Sequence, residues 1–284
     1  MEFPEFLRFE LGIYVEKFIM WLILEHGNIF DAITSGVLYV LINIEKFVLM
    51  VPWWVFIALV FIFGWRIKGL VSAFLYAGLF TLIGSFGLWE LLMLTIAIVL
   101  TAVLISIILG IPIGILMAYK DGVETAMRPI LDAMQTMPSF VYLIPAMMLF
   151  GMGKVPAIFA TMIYAIPPVI RLTNLGIREV SKEMVEAAIS FGSSPLQLLT
   201  RVQIPQAMPT IMAGINQTIM MALAMVVICS MIGAGGLGSE VLISINRIDI
   251  ARGFEAGLAI VILAIVIDRL TQGISQKNQT SENN

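Results

Sequence analysis

Four stretches of this sequence carry no charged side chain: residues 91–119, 133–153, 155–170 and 202–239. A helix that crosses the hydrocarbon core of a bilayer needs about 20 predominantly apolar residues. In lipid, every backbone N–H and C=O group must be bonded internally, which a helix does within one segment. These stretches therefore predict an all-α membrane protein.

Composition supports a membrane location. Of the 284 residues, 60% are hydrophobic and 12% are charged, whereas about a quarter of an average soluble domain is charged. A fifth apolar run, 254–270, ends at Asp268 and Arg269, and two more, 52–65 and 69–89, are separated by Arg66 and Lys68. We therefore expect about seven transmembrane helices. The net charge of −3 gives no support for nucleic-acid binding.

Residues 1–50 differ from the rest. Within 30–50 the polar side chains fall on one side of a helical wheel, which is typical of an amphipathic helix lying in the membrane interface. They are Asp31, Thr34, Ser35, Asn43, Glu45 and Lys46. Residues 9–24 are a second candidate. With the polar tail 273–284 placed in the cytoplasm, ten of the 16 Lys and Arg residues lie inside, the expected bias. Residues 1–50 are then external.

The sequence GAGGLG at 233–238 matches the spacing of a dinucleotide-binding fingerprint. That fingerprint requires a preceding strand and a subsequent helix within a βαβ unit. Here the glycines end a long uncharged run, so we exclude the nucleotide interpretation. Gly233, Gly235 and Gly236 instead predict a tight turn where a span ends on the outer face.

Enzymatic and metal-binding functions find no support in the residue types. Cys229 and His26 are the only cysteine and histidine, so no Cys/His metal cluster exists. No phosphate-binding loop is present, since the Gly153-Lys154 pair is followed by Val155. We predict no catalytic residue, no metal and no cofactor in this chain, and any ATP would be bound by another chain.

The segment 178–205 is the longest polar stretch between spans in the second half of the chain. A helix with an apolar stripe at Val180, Met184, Ala188 and Phe191 ends at Gly192, a natural stop signal. Ser194, Pro195 and Gln197 then have the spacing of a capping box with proline at the first helical position, and Pro205 ends or bends the next helix. Two interpretations are open for this compact pair of helices: it docks into a cleft of another protein, or it covers the end of its own helix bundle.

The same segment resembles a known family. Glu186, Ala187, Ala188 and Gly192, followed by Val202, Ile204 and Pro205, match the EAA motif of ABC importer permease subunits. Longer stretches (137–157, 186–199, 209–227, 230–238 and 253–272) resemble the glycine betaine/proline betaine uptake group, and the resemblance covers about residues 50–275.

The resemblance implies an architecture and a set of partners. The chain would have a five-span type I ABC importer permease core at 90–272, after two accessory spans at 51–89. It would form a homodimer in the plasma membrane of a bacterium, with two ATPase subunits, which carry ATP and Mg, and an extracytoplasmic substrate-binding protein. The ATPase-coupling loop would be formed by Glu186, Ala187, Ala188, Gly192, Ser193, Ser194 and Pro205.

The implied function is ATP-driven import of glycine betaine or proline betaine, by a transport subunit that is not itself an enzyme. Alternatives are another small zwitterion or amine (carnitine, choline or proline) and a secondary transporter. Intramembrane ionisable residues usually mark the latter, and the interiors of the long runs contain none.

Candidate residues for the pathway and gate come from three parts of the chain, and those within 202–239 that precede the glycines have two interpretations. Asn216, Gln217 and Thr218 either line a path or form interhelical hydrogen bonds. Met220, Met221 and Met225 either pack the core or repack during opening. Phe140 and Tyr142 are candidates for cation–π contact with a quaternary ammonium. Gly233, Gly235 and Gly236 complete the set.

Overall fold

The computed structural model describes residues 11–282, and within them the regular secondary structure is helical. The chain forms α1 (Leu11–Met50), α2 (Trp53–Lys68), α3 (Leu70–Ser85), α4 (Trp89–Tyr119), α5 (Asp121–Thr136), α6 (Leu143–Phe150), α7 (Lys154–Ala165), α8 (Pro167–Arg178), α9 (Lys182–Ser190), α10 (Pro195–Leu198), α11 (Ile204–Cys229), α12 (Leu237–Arg247) and α13 (Ile250–Glu282). Short 3₁₀ helices lie at Ser139–Tyr142 and Ser230–Ile232, and a π-helical turn lies at Leu199–Gln203.

Within residues 11–282, five helical segments are long and apolar enough to cross a membrane, or six if the bent pair Asp121–Thr136 and Ser139–Phe150 is one span, which confirms the all-α membrane class. The five are Gly12–Met50, Trp89–Tyr119, Lys154–Arg178, Pro195–Ile232 and Ile250–Gly273. Helices α2 and α3 have 16 residues each and are therefore about 24 Å long, short of a hydrocarbon core of about 30 Å. Their assignment as two accessory spans stays a prediction.

Pro138 divides the predicted span 133–153. Met137 is extended (φ −68°, ψ 133°), as is usual before proline, and the helices on either side meet at 110°. The uncharged stretch 133–153 therefore contains parts of two helices, because proline disfavours the helical conformation of the residue before it. In contrast, Pro112 lies inside the continuous helix α4.

The predicted span 202–239 is also divided. Helix α11 ends at Cys229 and continues as the 3₁₀ turn Ser230–Ile232. The backbone then reverses through glycines with positive φ, and α12 begins at Leu237. An uncharged sequence therefore contains a spanning helix and the start of a second, differently directed helix.

The centre of the bundle is built around α8, which packs between α4 and α11. A Cβ atom on Gly114 of α4 would lie 2.6 Å from Cβ of Thr173. On the opposite side, a Cβ atom on Gly214 of α11 would lie 3.0 Å from Cβ of Leu172. Small residues at these crossings let the helix backbones approach closely.

Helix α1 consists of two halves joined at a kink, since His26 has non-helical angles (φ −124°, ψ 20°). The second half packs on the bundle through Leu41 and Val48, which are buried. Among the polar residues predicted to share one side of this helix, Glu45 contacts the bundle: its carboxylate accepts hydrogen bonds from Lys154 Nζ at 2.8 and 3.0 Å. Residues 1–10 of the predicted interfacial segment lie outside the described residues, and the membrane position of α1 stays a prediction.

Helices α2 and α3 pack on each other and on α13. The ring of Phe56 lies 5.3 Å from that of Phe80 and 5.6 Å from that of Trp89 (centroid distances). These aromatic contacts connect the α2–α3 pair to the start of α4.

Candidate functional site

Residues 178–205, here called the EAA loop, form a compact helix–turn–helix unit. Ser181 caps α9, accepting a hydrogen bond from Met184 N at 3.3 Å. Gly192 lies just after the end of α9 with φ +81°, and its N–H and that of Ser193 bond to carbonyls of the last turn. The predicted glycine stop is confirmed, and its cause is the left-handed backbone, because a Cβ atom at Gly192 would meet nothing within 4 Å.

The predicted capping box is also present. Ser194 Oγ accepts from Gln197 N at 3.3 Å, while Gln197 Oε1 accepts from Ser194 N at 2.8 Å. Pro195 occupies the first turn of α10. The α-helix that begins at Pro195 gives way to a π-helical turn at Leu199–Gln203, and Pro205 follows in the first turn of α11, which agrees with the prediction that Pro205 ends or bends the helix.

Four large apolar side chains of the EAA loop are exposed, whereas Leu198 is buried. Phe191 is 91% exposed and Leu196 is 69% exposed, and Met184 and Ile189 are about half exposed. Glu186 and Ala187 lie on the surface between them, and α9 contains no buried residue. An apolar surface of this kind on a charged loop is typical of a contact with another protein.

Both ends of the EAA loop are bonded to the last turn of α4. At the start, Arg178 donates to the carbonyl of Met117 at 2.9 Å. At the end, the hydroxyl of Tyr119 donates to Gln203 Oε1. The loop is therefore attached to the bundle at two points, while its tip projects from it.

A cluster of charged and amide groups surrounds Arg178, and no sequence pattern predicts it. The guanidinium lies 2.7 Å from Asp121 Oδ1 and 3.0 Å from Glu124 Oε2, and it donates to Asn174 Oδ1 at 3.1 Å. Asn174 in turn donates to Glu124 at 2.9 Å. The two carboxylates precede Arg178 by more than 50 positions along the chain, so no local spacing pairs them with it.

The polar candidates on α11 have different environments. Asn216 donates to Asp268 Oδ1 at 3.0 Å and accepts from Thr271, both on α13. This contact is an interhelical hydrogen bond, which is one of the two interpretations. Gln217 is exposed on the neighbouring face. Met221 is partly buried, and Met225 is completely buried.

The glycine turn, Gly233–Gly236, is held against two other elements. Gly233, Gly235 and Gly236 have φ between +77° and +86°, and Gly153 N donates to the carbonyl of Ile232 at 2.9 Å. Leu237 N, immediately after the turn, donates to Thr95 Oγ1 of α4 at 2.8 Å. The predicted sharp turn is confirmed, and it is a packed turn rather than a free one.

The aromatic candidates lie just beyond the break at Pro138. Tyr142 is buried, and its hydroxyl donates to the carbonyl of Met134 in α5 at 2.5 Å. Phe140 is 54% exposed. The exposed ring of Phe140 is the one available for contact with a ligand, whereas Tyr142 connects the 3₁₀ turn to α5.

Comparison with known proteins identifies relatives. Residues 110–279 match the family of binding-protein-dependent transport system inner membrane components. The chain is 45% identical over 273 residues to the glycine betaine/proline betaine transport system permease protein of Escherichia coli K12, covering 96% of the chain and 77% of that protein. It is 44% identical over 280 residues to the glycine betaine transport system permease protein of Bacillus subtilis 168, covering 97% and 98%.

A third relative is the glycine betaine/carnitine transport permease protein of Listeria monocytogenes 10403S, 52% identical over 235 residues, which cover 80% of the chain and 82% of that protein. Among solved structures, the fold resembles a chain of the inward-facing methionine ABC transporter MetNI. The TM-score is 0.61 at 20% identity, with 67% of this chain and 95% of that chain covered.

Proposed function

The chain belongs to the family of binding-protein-dependent transport system inner membrane components, and we propose that it is the membrane-spanning subunit of an ATP-driven importer of glycine betaine and proline betaine. The observation that carries the importer assignment is the EAA loop, a capped unit that exposes Phe191 and Leu196. The substrate assignment rests on relatives whose names specify glycine betaine.

The EAA loop is proposed to dock into a separate ATPase subunit, which binds ATP and Mg. The exposed apolar side chains of α9 and α10 supply the contact area, and Glu186 with Ala187 and Ala188 form a surface that a partner can approach closely. The sharp stop at Gly192 fixes the angle between the two halves. Family membership favours this arrangement over a secondary transporter.

We further propose a homodimer in a bacterial plasma membrane, with the EAA loop and the C-terminus in the cytoplasm. The glycine turn then lies on the outer side, where an extracytoplasmic binding protein delivers the solute. Net-neutral zwitterions need no ring of charged side chains along their route, unlike phosphate or sulfate. Gln217, Phe140 and Met221 are the proposed path residues with accessible surface.

The test is uptake in proteoliposomes that contain this chain, its ATPase and its binding protein. Radiolabelled glycine betaine is expected to accumulate only with ATP, and unlabelled proline betaine is expected to compete with it. Carnitine, choline, methionine, phosphate and taurine are tested as competitors in parallel. Accumulation of an anion without entry of betaine would refute the substrate assignment, and uptake without ATP would refute the importer assignment.

A further inference from the structure

The position of Arg178 at the junction of three helices is more specific than the general attachment of the EAA loop. Arg178 is the last residue of α8, where the loop begins. Its guanidinium bonds the carbonyl of Met117 in the last turn of α4 and the carboxylates of Asp121 and Glu124 in the first turn of α5. One side chain therefore bridges the corner where α4 ends and α5 begins.

The electrostatics of this corner favour a cation. The last carbonyls of a helix lack partners within the helix and carry partial negative charge. Acidic side chains in the first turn stabilise the N-terminus of α5, but they leave negative charge at the same point. The Arg178 guanidinium compensates the negative charge of the carbonyls and of the carboxylates. Because it is planar and has several N–H donors, it bonds several acceptors at once. Glu124 is almost fully enclosed, with 11% of its side chain exposed.

Helix α5 connects this corner to the aromatic segment at Pro138. Asp132, near the end of α5, pairs with Arg171 of α8. The hydroxyl of Tyr142 bonds the carbonyl of Met134, also near the end of α5. Two arginines of α8 therefore bind α5, Arg178 at the start of α5 and Arg171 near its end. The end of α5 also binds Tyr142, in the 3₁₀ turn that contains Phe140.

We propose that Arg178 is a positioning residue that couples the EAA loop to the transport path: movement of the loop is transmitted through its guanidinium to α5 and from α5 to the Phe140–Tyr142 turn. This inference rests on the proposed function and specifies how the EAA loop is connected to the transport path. Arg178 touches neither nucleotide nor solute in this arrangement. Its loss should therefore separate ATP hydrolysis from transport rather than abolish both.

The experiment measures solute transported per ATP hydrolysed, in proteoliposomes with the ATPase and the binding protein. ATPase that does not remain bound to the permease is removed before reconstitution, so this ratio reports coupling rather than yield. In Arg178→Met, which keeps the apolar stem, we expect the ratio to fall about tenfold while hydrolysis continues. In Arg178→Lys, which keeps the charge but loses the planar guanidinium, we expect a partial rescue, to within about threefold of the original ratio.

Arg128 offers a matched control. It donates to the same carboxylate, Glu124, at 2.7 Å, but it lies on α5 itself and 68% of its side chain is exposed. Arg128→Met removes one cation from the same neighbourhood without cutting a connection between helices. Its ratio is expected to stay within about twofold of the original, in line with the small contribution of exposed pairs.

The outcomes are distinct. An unchanged ratio in Arg178→Met, or an equal fall in Arg178→Met and Arg128→Met, overturns the proposal. Should Arg178→Met fail to assemble, Glu124→Gln decides, because it removes charge from the link while keeping an acceptor for Asn174: a lowered ratio supports the proposal and an unchanged ratio overturns it. Absence of betaine uptake in the unmodified complex would refute the proposed function instead, and the ratio is then measured with the solute that is transported.

Discussion

The glycine turn and the stop at Gly192 have the same backbone feature for different structural reasons. Gly192 and Gly236 both have φ near +80°. A Cβ atom at Gly192 would meet nothing within 4 Å, whereas one at Gly236 would lie 2.5 Å from Thr95 Oγ1. The EAA loop therefore needs glycine at 192 only for the left-handed backbone conformation. The glycine turn needs glycine at 236 for that conformation and also because no space is left for a side chain.

This difference fits the two proposed roles. The EAA loop projects from the bundle with exposed apolar side chains, and a partner has to complete its packing. The glycine turn is already packed against α4 and against the loop at Gly153.

The largest effect on stability is expected for Gly236→Ala. The methyl group adds left-handed strain and a clash with Thr95, which together should lower the free energy of unfolding by about 3 kcal/mol. Thermal unfolding of the purified protein measures this. Gly78→Ala, in α3 with nothing within 4 Å of the added atom, is the control and should not destabilise. Equal stability of the two variants would show that Gly236 needs neither the left-handed backbone nor the space beside Thr95.

A large functional effect with little change in stability is expected for Gly192→Val. The strain is local to the loop, so the protein should stay in the membrane, but ATPase binding or the transport rate should fall about tenfold as the loop tilts. Gly192→Asn should retain most activity, because asparagine tolerates a positive φ. Normal transport by the valine variant would contradict the coupling assignment.

A smaller effect is expected for Thr95→Val. The substitution keeps the shape but removes the acceptor of the Leu237 N–H, leaving a buried donor unpaired at a cost of about 1–2 kcal/mol. Thr95→Ser keeps the hydroxyl and should recover most of the loss. Both are compared by thermal unfolding, and a valine variant as stable as the serine variant would show that this bond does not hold the turn.

The smallest effect on function is expected from single cysteines, which test on which side of the membrane the glycine turn and the EAA loop lie. Met152, beside the glycine turn, is 81% exposed, and Ser190 of the EAA loop is also exposed. An impermeant maleimide should label Met152→Cys in intact cells, and Ser190→Cys only in inverted vesicles prepared without the ATPase, which otherwise covers the EAA loop. Cys229 is buried and should not react. The reverse pattern would invert the proposed orientation.

Much of the EAA loop is predictable because its structure is local. A capping box, a proline at the first helical position and a glycine after the last turn act within a few residues, so Ser194, Pro195, Gln197 and Gly192 have the predicted geometry. Apolar length alone does not show where helices end within 133–153 and 202–239. The glycines at 233–236 do predict a turn there, whereas the 110° angle between the helices on either side of Pro138 is visible only in the structure.

The all-α membrane class, the family and the shape of the EAA loop follow from the sequence, because apolar length, motif spacing and capping are properties of consecutive residues. Helix packing, in contrast, brings Arg178 to Asp121 and Glu124, places Glu45 against Lys154, and leaves no space beside Gly236. These are contacts between helices far apart in sequence, and each depends on the distance and rotation at which the helices pack. A one-dimensional pattern cannot specify that geometry, since residues on one helix face are compatible with many partners until the bundle brings one of them within hydrogen-bonding distance.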